Sequence, residues 1–104
     1  MNLQERSDRR SLSLHREIVK KLQSDESLWD VPLRNIERWT ETCGGLPTPY
    51  RVWRDILTTE PHENIIKILL SKSQRSQQLR SSTPFTGIID QETRKKVFDR
   101  YRIM

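Results

Sequence analysis

The residue types that most often perform catalysis are few and scattered in this chain. Its 104 residues include two histidines and one cysteine, His15, His62 and Cys43. His15 has no acid or second histidine at metal-ligand spacing, and Cys43 has no histidine or acid arranged to activate a thiol. We therefore expect His15 to pack or cap a helix, His62 to be solvated, and Cys43 to be a small buried hydrophobe or a bystander.

The remaining catalytic patterns are weak or missing. Glu37 and Glu41 stand one helical turn apart, but helix surfaces carry such carboxylate pairs routinely. The sequence contains no Gly-rich phosphate loop and no Gly-x-Ser-x-Gly elbow. These patterns predict a protein that is not an enzyme, with no cofactor and no metal.

Charge offers a better indication of chemistry. The net charge of +5 is divided into +3 over residues 1–24, −4 over residues 25–64 and +6 over residues 65–104. If the two ends meet in space, they form a basic face that favours a polyanion or an acidic protein. The alternative is a mixed, solvated surface. The side chains expected to contact DNA or RNA phosphates are Arg6, Arg9, Arg10, Lys20, Lys21, Arg94, Lys95 and Lys96.

The sequence pattern predicts that the elements that position these groups are helices. A chain of this length supports one domain with one modest core, and no stretch shows the alternation expected of strands. We predict an all-α domain of about five helices over residues 11–104, preceded by a mobile arm at residues 1–10. With no apolar run near 18 residues, a polar N-terminus and a single cysteine, the sequence predicts a soluble cytoplasmic protein that does not enter membranes.

Capping residues predict where the first helices begin and end. Ser11 is the expected N-cap of a helix to about residue 23. A second helical region is expected over residues 26–42, either broken near Asp30 or restarting with Pro32 in its first turn. Gly44 is suited to the positive φ of its C-cap.

The second half of the chain follows the same logic. Thr48 is the expected cap of a third helix that ends near residue 58, and a fourth helix is expected over residues 61–70. Residues 71–80 are either a short helix capped by Ser73 or a loop. Asp90 is expected to cap the last helix, which runs to about residue 101.

An irregular segment at residues 79–90 interrupts this helical pattern. Its large apolar side chains, Phe85, Ile88 and Ile89, are expected to turn inward and fix the segment against the preceding helices. The segment is thus either a packed crossover that places the last helix or a contact surface for a partner protein. In the second case the side chains expected to bind the partner are Arg80, Ser81, Ser82 and Phe85.

Several stretches together resemble a group of small bacterial proteins. They are Arg-Ser-Leu-Ser-Leu-His at residues 10–15, Ile-Glu-Arg-Trp at 36–39, Tyr50 with Trp53 and Ile-Leu at 56–57, and Leu-Arg-Ser-Ser-Thr-Pro-Phe-Thr-Gly-Ile at 79–88. The group typically opens with Arg-Ser-Leu-x-Leu-His and closes with Leu-Arg-x-Ser-Ser-Pro-Phe-x-Gly-Val-Leu. Here Thr83 departs from the closing pattern, and Ile88 and Ile89 stand for Val-Leu. The resemblance implies a bacterial antitoxin or small regulator encoded beside a toxin-like partner, and it transfers no catalytic residue.

Two functions from different classes follow. In the first, the chain is an antitoxin-like interaction module that binds and neutralises a partner protein, through the arm and residues 79–90. In the second, it is a small basic regulator that binds DNA or RNA through its ends. A helix-turn-helix over the third and fourth helices is disfavoured, since the turn at residues 58–61 lacks Gly and the fourth helix is strongly apolar. The identity of the partner and the oligomeric state do not follow from the sequence.

Overall fold

Six α-helices and one short 3-10 helix make up the computed structural model, which describes residues 2–102 apart from the side chain of Cys43. No strand occurs within that range. The helices are α1 (Leu3–Ser24), α2 (Asp30–Cys43), α3 (Thr48–Thr59), α4 (His62–Leu70), α5 (Gln74–Ser81) and α6 (Gln91–Arg100), and the 3-10 helix (Glu26–Trp29) precedes α2. The all-α prediction is therefore confirmed, with six helices rather than about five. The expected role of Cys43 lies outside the described part of the structure.

The first helix begins nine residues earlier than predicted. Asn2, not Ser11, is its N-cap, since the Asn2 side chain accepts a 2.7 Å hydrogen bond from the backbone N–H of Glu5. Glu5 itself lies in the first turn, where a carboxylate interacts favourably with the helix dipole. The polar composition of residues 3–10 led us to expect an arm, but a polar stretch can continue a helix whose later turns are packed. The predicted mobility of residues 1–10 stays a prediction.

Three residues between α1 and α3 set the ends of the helices there. Asp25 caps the 3-10 helix by accepting from the N–H of Ser27 at 3.0 Å. Pro32 lies in the first turn of α2, so of the two alternatives the helix restarts with Pro32 in that turn, where the proline removes no internal hydrogen bond. Gly44 ends α2 at φ 70°, in the left-handed region that glycine adopts without a steric penalty.

The later helices differ only slightly from expectation. Pro47, not Thr48, is the N-cap of α3, and neither supplies a side-chain cap. Ser73 caps α5 by accepting from the N–H of Ser76, so residues 74–81 are helix rather than loop. Asp90 caps α6 as predicted, accepting from the N–H of Thr93 at 2.7 Å.

The core lies where α1 packs on α4, α5, α6 and the 3-10 helix. Trp53, Ile65, Leu69, Phe85 and Val97 are fully buried. Phe85 belongs to the irregular segment, and the other four lie on α3, α4 and α6. Ile88 is also buried, and Ile89 is half-buried against the core, so the expected inward turn of the irregular segment is confirmed. The part that is not helical is shorter than predicted, since α5 extends to Ser81.

None of the helices within residues 2–102 combines the length and the apolar character that crossing a membrane requires.

Candidate functional site

The two basic ends of the chain meet at the ring of Phe98 on α6. The guanidinium carbon of Arg10, from α1, lies 4.4 Å from the ring centroid, and that of Arg94, from α6, lies 5.1 Å from it. Both distances are within the range of cation–π attraction. The N-terminal and C-terminal basic segments, whose convergence the sequence left open, therefore meet through an aromatic side chain that contacts both arginines.

Further cations surround this ring. A shallow cavity of about 420 Å³ is lined by Arg6, Arg10, Lys95 and Arg102, together with Phe98, Asp99 and Tyr101. Asp99 is the one carboxylate in this lining, and it forms an exposed 3.5 Å ion pair with Arg102. Positive charge therefore exceeds negative charge here. We call Arg6, Arg10, Arg94, Lys95 and Arg102 the basic surface.

The other side chains predicted to contact nucleic acid lie elsewhere on α1 and α6. Lys20 pairs with Glu17 at 3.4 Å, and Lys96 pairs with Glu92 at 3.7 Å. Arg9 lines a different cavity, between α1 and α5.

Lys21 and Lys96 lie close to Asp90, at the opposite end of α6 from Tyr101. The pKa of Asp90 is lowered, first by its hydrogen bonds to Thr93 and then by the positive charges of these two lysines. α1 and α6 therefore run antiparallel, with positive side chains at both ends of their shared surface. At the end near Phe98, cations outnumber carboxylates around a cavity.

No protein-family model matches this chain, and comparison with curated proteins and with solved structures gave no significant match. The resemblance to small bacterial antitoxin-like proteins stays a prediction. Function must therefore be argued from the geometry of the chain itself.

The four side chains predicted to bind a partner protein divide into two pairs. Phe85 is fully buried, with its ring 5.5 Å from that of Trp53 and 6.3 Å from that of Trp29, both edge-on. Arg80 is only 3% exposed. Ser81 is exposed and Ser82 is half-buried. In the folded chain, Phe85 and Arg80 are thus occupied in packing, and only the two serines present surface to a partner.

Arg80 caps the end of a neighbouring helix. Its Nη1 donates to the carbonyl oxygens of Leu69, at 3.0 Å, and Ser71, at 2.6 Å, which lie at the C-terminus of α4. A cation there complements the negative end of the helix dipole. Burial lowers the pKa of Arg80, and the negative charge of Asp8 opposes that shift. Arg80 Nε is buried and has no hydrogen-bond partner.

His15 links α1 to the irregular segment through hydrogen bonds. Its Nδ1 lies 2.7 Å from the carbonyl oxygen of Ser11, and its Nε2 lies 2.9 Å from Oγ1 of Thr83. Because a carbonyl can only accept, Nδ1 carries the proton, and Nε2 of the neutral ring accepts from the Thr83 hydroxyl. Thr83 Oγ1 accepts in turn from the backbone N–H of Phe85 at 3.2 Å.

The environment of His15 keeps it neutral. Burial lowers the pKa of His15 to about 4; the hydrogen bond to Ser11 opposes this, and the positive charge of Arg80 adds to it. A packing and capping role was predicted for this residue, and the hydrogen bonds and burial agree with it. His62 is exposed as expected, although its ring stacks on Trp29 with 3.9 Å between centroids.

Asn35 was missed in the sequence. It is buried, and its Nδ2 donates to the carbonyl oxygens of Pro84 and Thr86, both at 2.8 Å. Its Oδ1 accepts from Nη2 of Arg38 at 2.8 Å. Asn35 lies three residues after the buried Pro32 and four before the half-buried Trp39, so its helical spacing from these residues was the available signal. Its partners, 49 and 51 residues away, gave none.

Within residues 2–102, no cluster of three or more His, Cys, Asp or Glu side chains has the arrangement needed to hold a metal ion.

Proposed function

We propose that this chain is a small, non-enzymatic binding protein of the cytoplasm that contacts DNA or RNA phosphates through its basic surface. The observation that carries the proposal is the pair of arginines, Arg10 and Arg94, held on the single ring of Phe98. The two arginines come from opposite ends of the sequence. Because the fold brings them together, positive charge that is spread along the sequence becomes concentrated at one place on the surface. The proposed location in the cytoplasm rests on the sequence alone.

The chemistry of the surface suits a phosphate backbone rather than base edges. Arginine guanidinium groups form paired hydrogen bonds with phosphate oxygens, and lysine adds a mobile point charge. The surface is shallow and open, and the two helices that carry most of it, α1 and α6, pack on each other. The binding we propose is therefore electrostatic and weakly dependent on base sequence.

Salt dependence of DNA binding tests this proposal. We expect fluorescence anisotropy with a labelled duplex to show binding at about 50 mM salt that weakens steeply as salt rises. The double variant Arg94→Ala/Lys95→Ala should reduce the slope of log K against log [salt] by about 2, since each phosphate contact contributes close to one unit.

The matched control removes the same charges from another face. Arg54 on α3 and Lys67 on α4 are exposed and lie outside the basic surface. Arg54→Ala/Lys67→Ala should leave the slope unchanged. Absence of binding at low salt, or an equal loss of slope in both double variants, would reject the proposal.

An antitoxin-like role, in which the chain binds and neutralises a partner protein, is the second candidate. The half-buried pair Trp39 and Tyr50, with ring centroids 5.1 Å apart, favours it, because such aromatic side chains are enriched at protein interfaces. These residues link α2 and α3, away from the basic surface. The two roles are compatible, since one face can bind nucleic acid while the other binds protein.

Co-expression with the product of the neighbouring gene tests the second role. We expect the two proteins to co-purify and the chain to protect cells from its partner. Trp39→Ala should weaken co-purification, whereas Arg94→Ala/Lys95→Ala should not. Failure to co-purify combined with failure to protect would exclude the role.

A further inference from the structure

A second cavity with an excess of positive charge lies between α1 and α5. It adjoins the basic surface, but none of the five cations of that surface lines it. It measures about 410 Å³, within the usual range of small-molecule sites. Its lining residues are Glu5, Asp8, Arg9, Leu12, Ser13, Arg16, Lys72, Gln77, Arg80 and Tyr101. Four of these are cations and two are carboxylates. None of the ion pairs recorded among residues 2–102 involves any of the six.

Arg80, in the wall of this cavity, has an unused hydrogen-bonding edge. Both of its recorded hydrogen bonds use Nη1, while Nε is buried and has no partner. A guanidinium group binds carboxylate or phosphate through two parallel N–H groups, and the edge formed by Nε and Nη2 is suited to that contact. A buried donor without an acceptor is destabilising, so an anion that reached this edge would relieve the cost.

The hydroxyl groups of Ser13 and Tyr101 add neutral polar groups to the same wall. Their oxygen atoms lie 2.7 Å apart, which joins α1 to the end of α6. Arg16 and Lys72 are exposed at the cavity, so their charges can reach a ligand without disturbing the core. The buried guanidinium, the hydroxyl pair and the exposed cations outweigh the carboxylates of Glu5 and Asp8, and they suit a compact anion with several oxygen atoms.

We propose that this cavity binds the phosphate group of a small phosphate ester, with Arg80 contacting the phosphate through its Nε edge and Arg16 and Lys72 neutralising the remaining charge. Less than 1 Å² of Nε is accessible, so binding requires the side chains that cover it to shift. The ligand is held by the phosphate group, which is shared by free phosphate, mononucleotides and the 5′ end of a phosphorylated nucleic acid. The inference does not depend on nucleic-acid binding at the basic surface.

Titration with inorganic phosphate, followed by two-dimensional NMR on the full chain, tests the site. We expect saturable shifts of the side-chain Nε–H of Arg80 and of backbone amides near Ser13 and Lys72. The exposed double variant Arg16→Ala/Lys72→Ala should weaken phosphate binding by about tenfold, since each surface charge pair accounts for roughly two- to fivefold. Arg80→Lys should weaken it further; because Arg80 also caps α4, the exposed double variant carries the test if Arg80→Lys fails to fold.

The control variants distinguish phosphate binding at this cavity from binding at the basic surface and from non-specific electrostatic attraction. Arg54→Ala/Lys67→Ala, which removes equal charge elsewhere, and Arg94→Ala/Lys95→Ala should both retain phosphate affinity. Adenosine 5′-monophosphate and a short 5′-phosphorylated oligonucleotide should compete with phosphate. Whichever of the two binds more tightly shows whether the phosphate group belongs to a mononucleotide or to the 5′ end of a nucleic acid. Absence of saturable binding by phosphate, or equal weakening by the Arg54/Lys67 control, would overturn the proposal whatever the outcome with duplex DNA.

Discussion

Residues 82–90 and the basic surface differ in the regularity of their backbone and in the burial of their side chains. The irregular segment has no repeating backbone hydrogen bonds, yet side chains from distant helices hold it: His15 bonds Thr83, and Asn35 bonds the carbonyls of Pro84 and Thr86. Four of the five cations of the basic surface lie on α1 and α6, and Arg94, Lys95 and Arg102 are exposed. Buried side chains hold the irregular segment, whereas the cations on the helices are exposed or half-buried.

The difference shows where stability and binding reside. A segment without its own backbone pairing persists only if side chains satisfy its polar groups, and each of these contacts then contributes to the fold. An exposed cation contributes little to the fold and is free to contact a partner. We therefore expect substitutions in the first region to change stability and those in the second to change binding.

The largest effect is expected at Phe85. Its ring is fully buried between Trp29 and Trp53, so Phe85→Ala removes the contacts and leaves a cavity. The free energy of unfolding should fall by about 3–5 kcal/mol, measured by urea denaturation. Leu3→Ala, at a side chain that is 68% exposed, should change it by less than about 0.5 kcal/mol. An intact Phe85→Ala fold with lost partner binding would instead make residues 82–90 an interface.

The second-largest expected effect is a decrease in the free energy of unfolding at low pH, caused by His15. The pKa of His15 is about 4 in the folded chain against 6.5 for an unperturbed histidine. Between these values the unfolded chain binds a proton that the folded chain does not, so stability is complete above pH 6.5 and falls as pH decreases toward 4. The loss should total about 3 kcal/mol, since one pKa unit corresponds to roughly 1.4 kcal/mol.

Urea denaturation at several pH values measures this dependence, and two histidine variants isolate it. His15→Gln should lose the decrease between pH 6.5 and 4, and His62→Gln, which removes an exposed imidazole, should retain it. An unchanged pH profile in His15→Gln would show that the folded chain does not hold this histidine neutral.

The smallest effect on stability is expected at the basic surface. Arg94 and Lys95 are exposed, so Arg94→Ala/Lys95→Ala should change the free energy of unfolding by no more than about 0.5 kcal/mol. Differential scanning calorimetry and urea denaturation would both measure it. A loss as large as that of Phe85→Ala would mean that both regions stabilise the fold, and the contrast between them would fail.

Local signals in the sequence predicted most of the helices. Proline at a helix start, glycine at a helix end and Asp or Ser at an N-cap act through atoms one to four residues away, so Gly44 and Asp90 were correctly interpreted. At Pro32 and Ser73 the sequence left two alternatives open, and the structure shows which of them occurs. The predicted start of α1 was wrong because the polar composition of residues 3–10 favoured an arm, although Asn2 and Glu5 supply a local signal for a helix start. Its polar first turns continue a helix whose later turns pack on the core, and such packing is not visible in a local pattern.

What the sequence by itself determined, then, was the helical class, the apolar stripes and the inward turn of Phe85 and Ile88, since periodicity and side-chain hydrophobicity act locally. Only the tertiary structure decided which polar groups meet. Contacts such as His15 with Thr83, Asn35 with Pro84, and Arg10 with Phe98 join residues far apart in the chain. Such contacts form because folding removes these groups from water and each must find a partner, and the partner is set by how the helices pack.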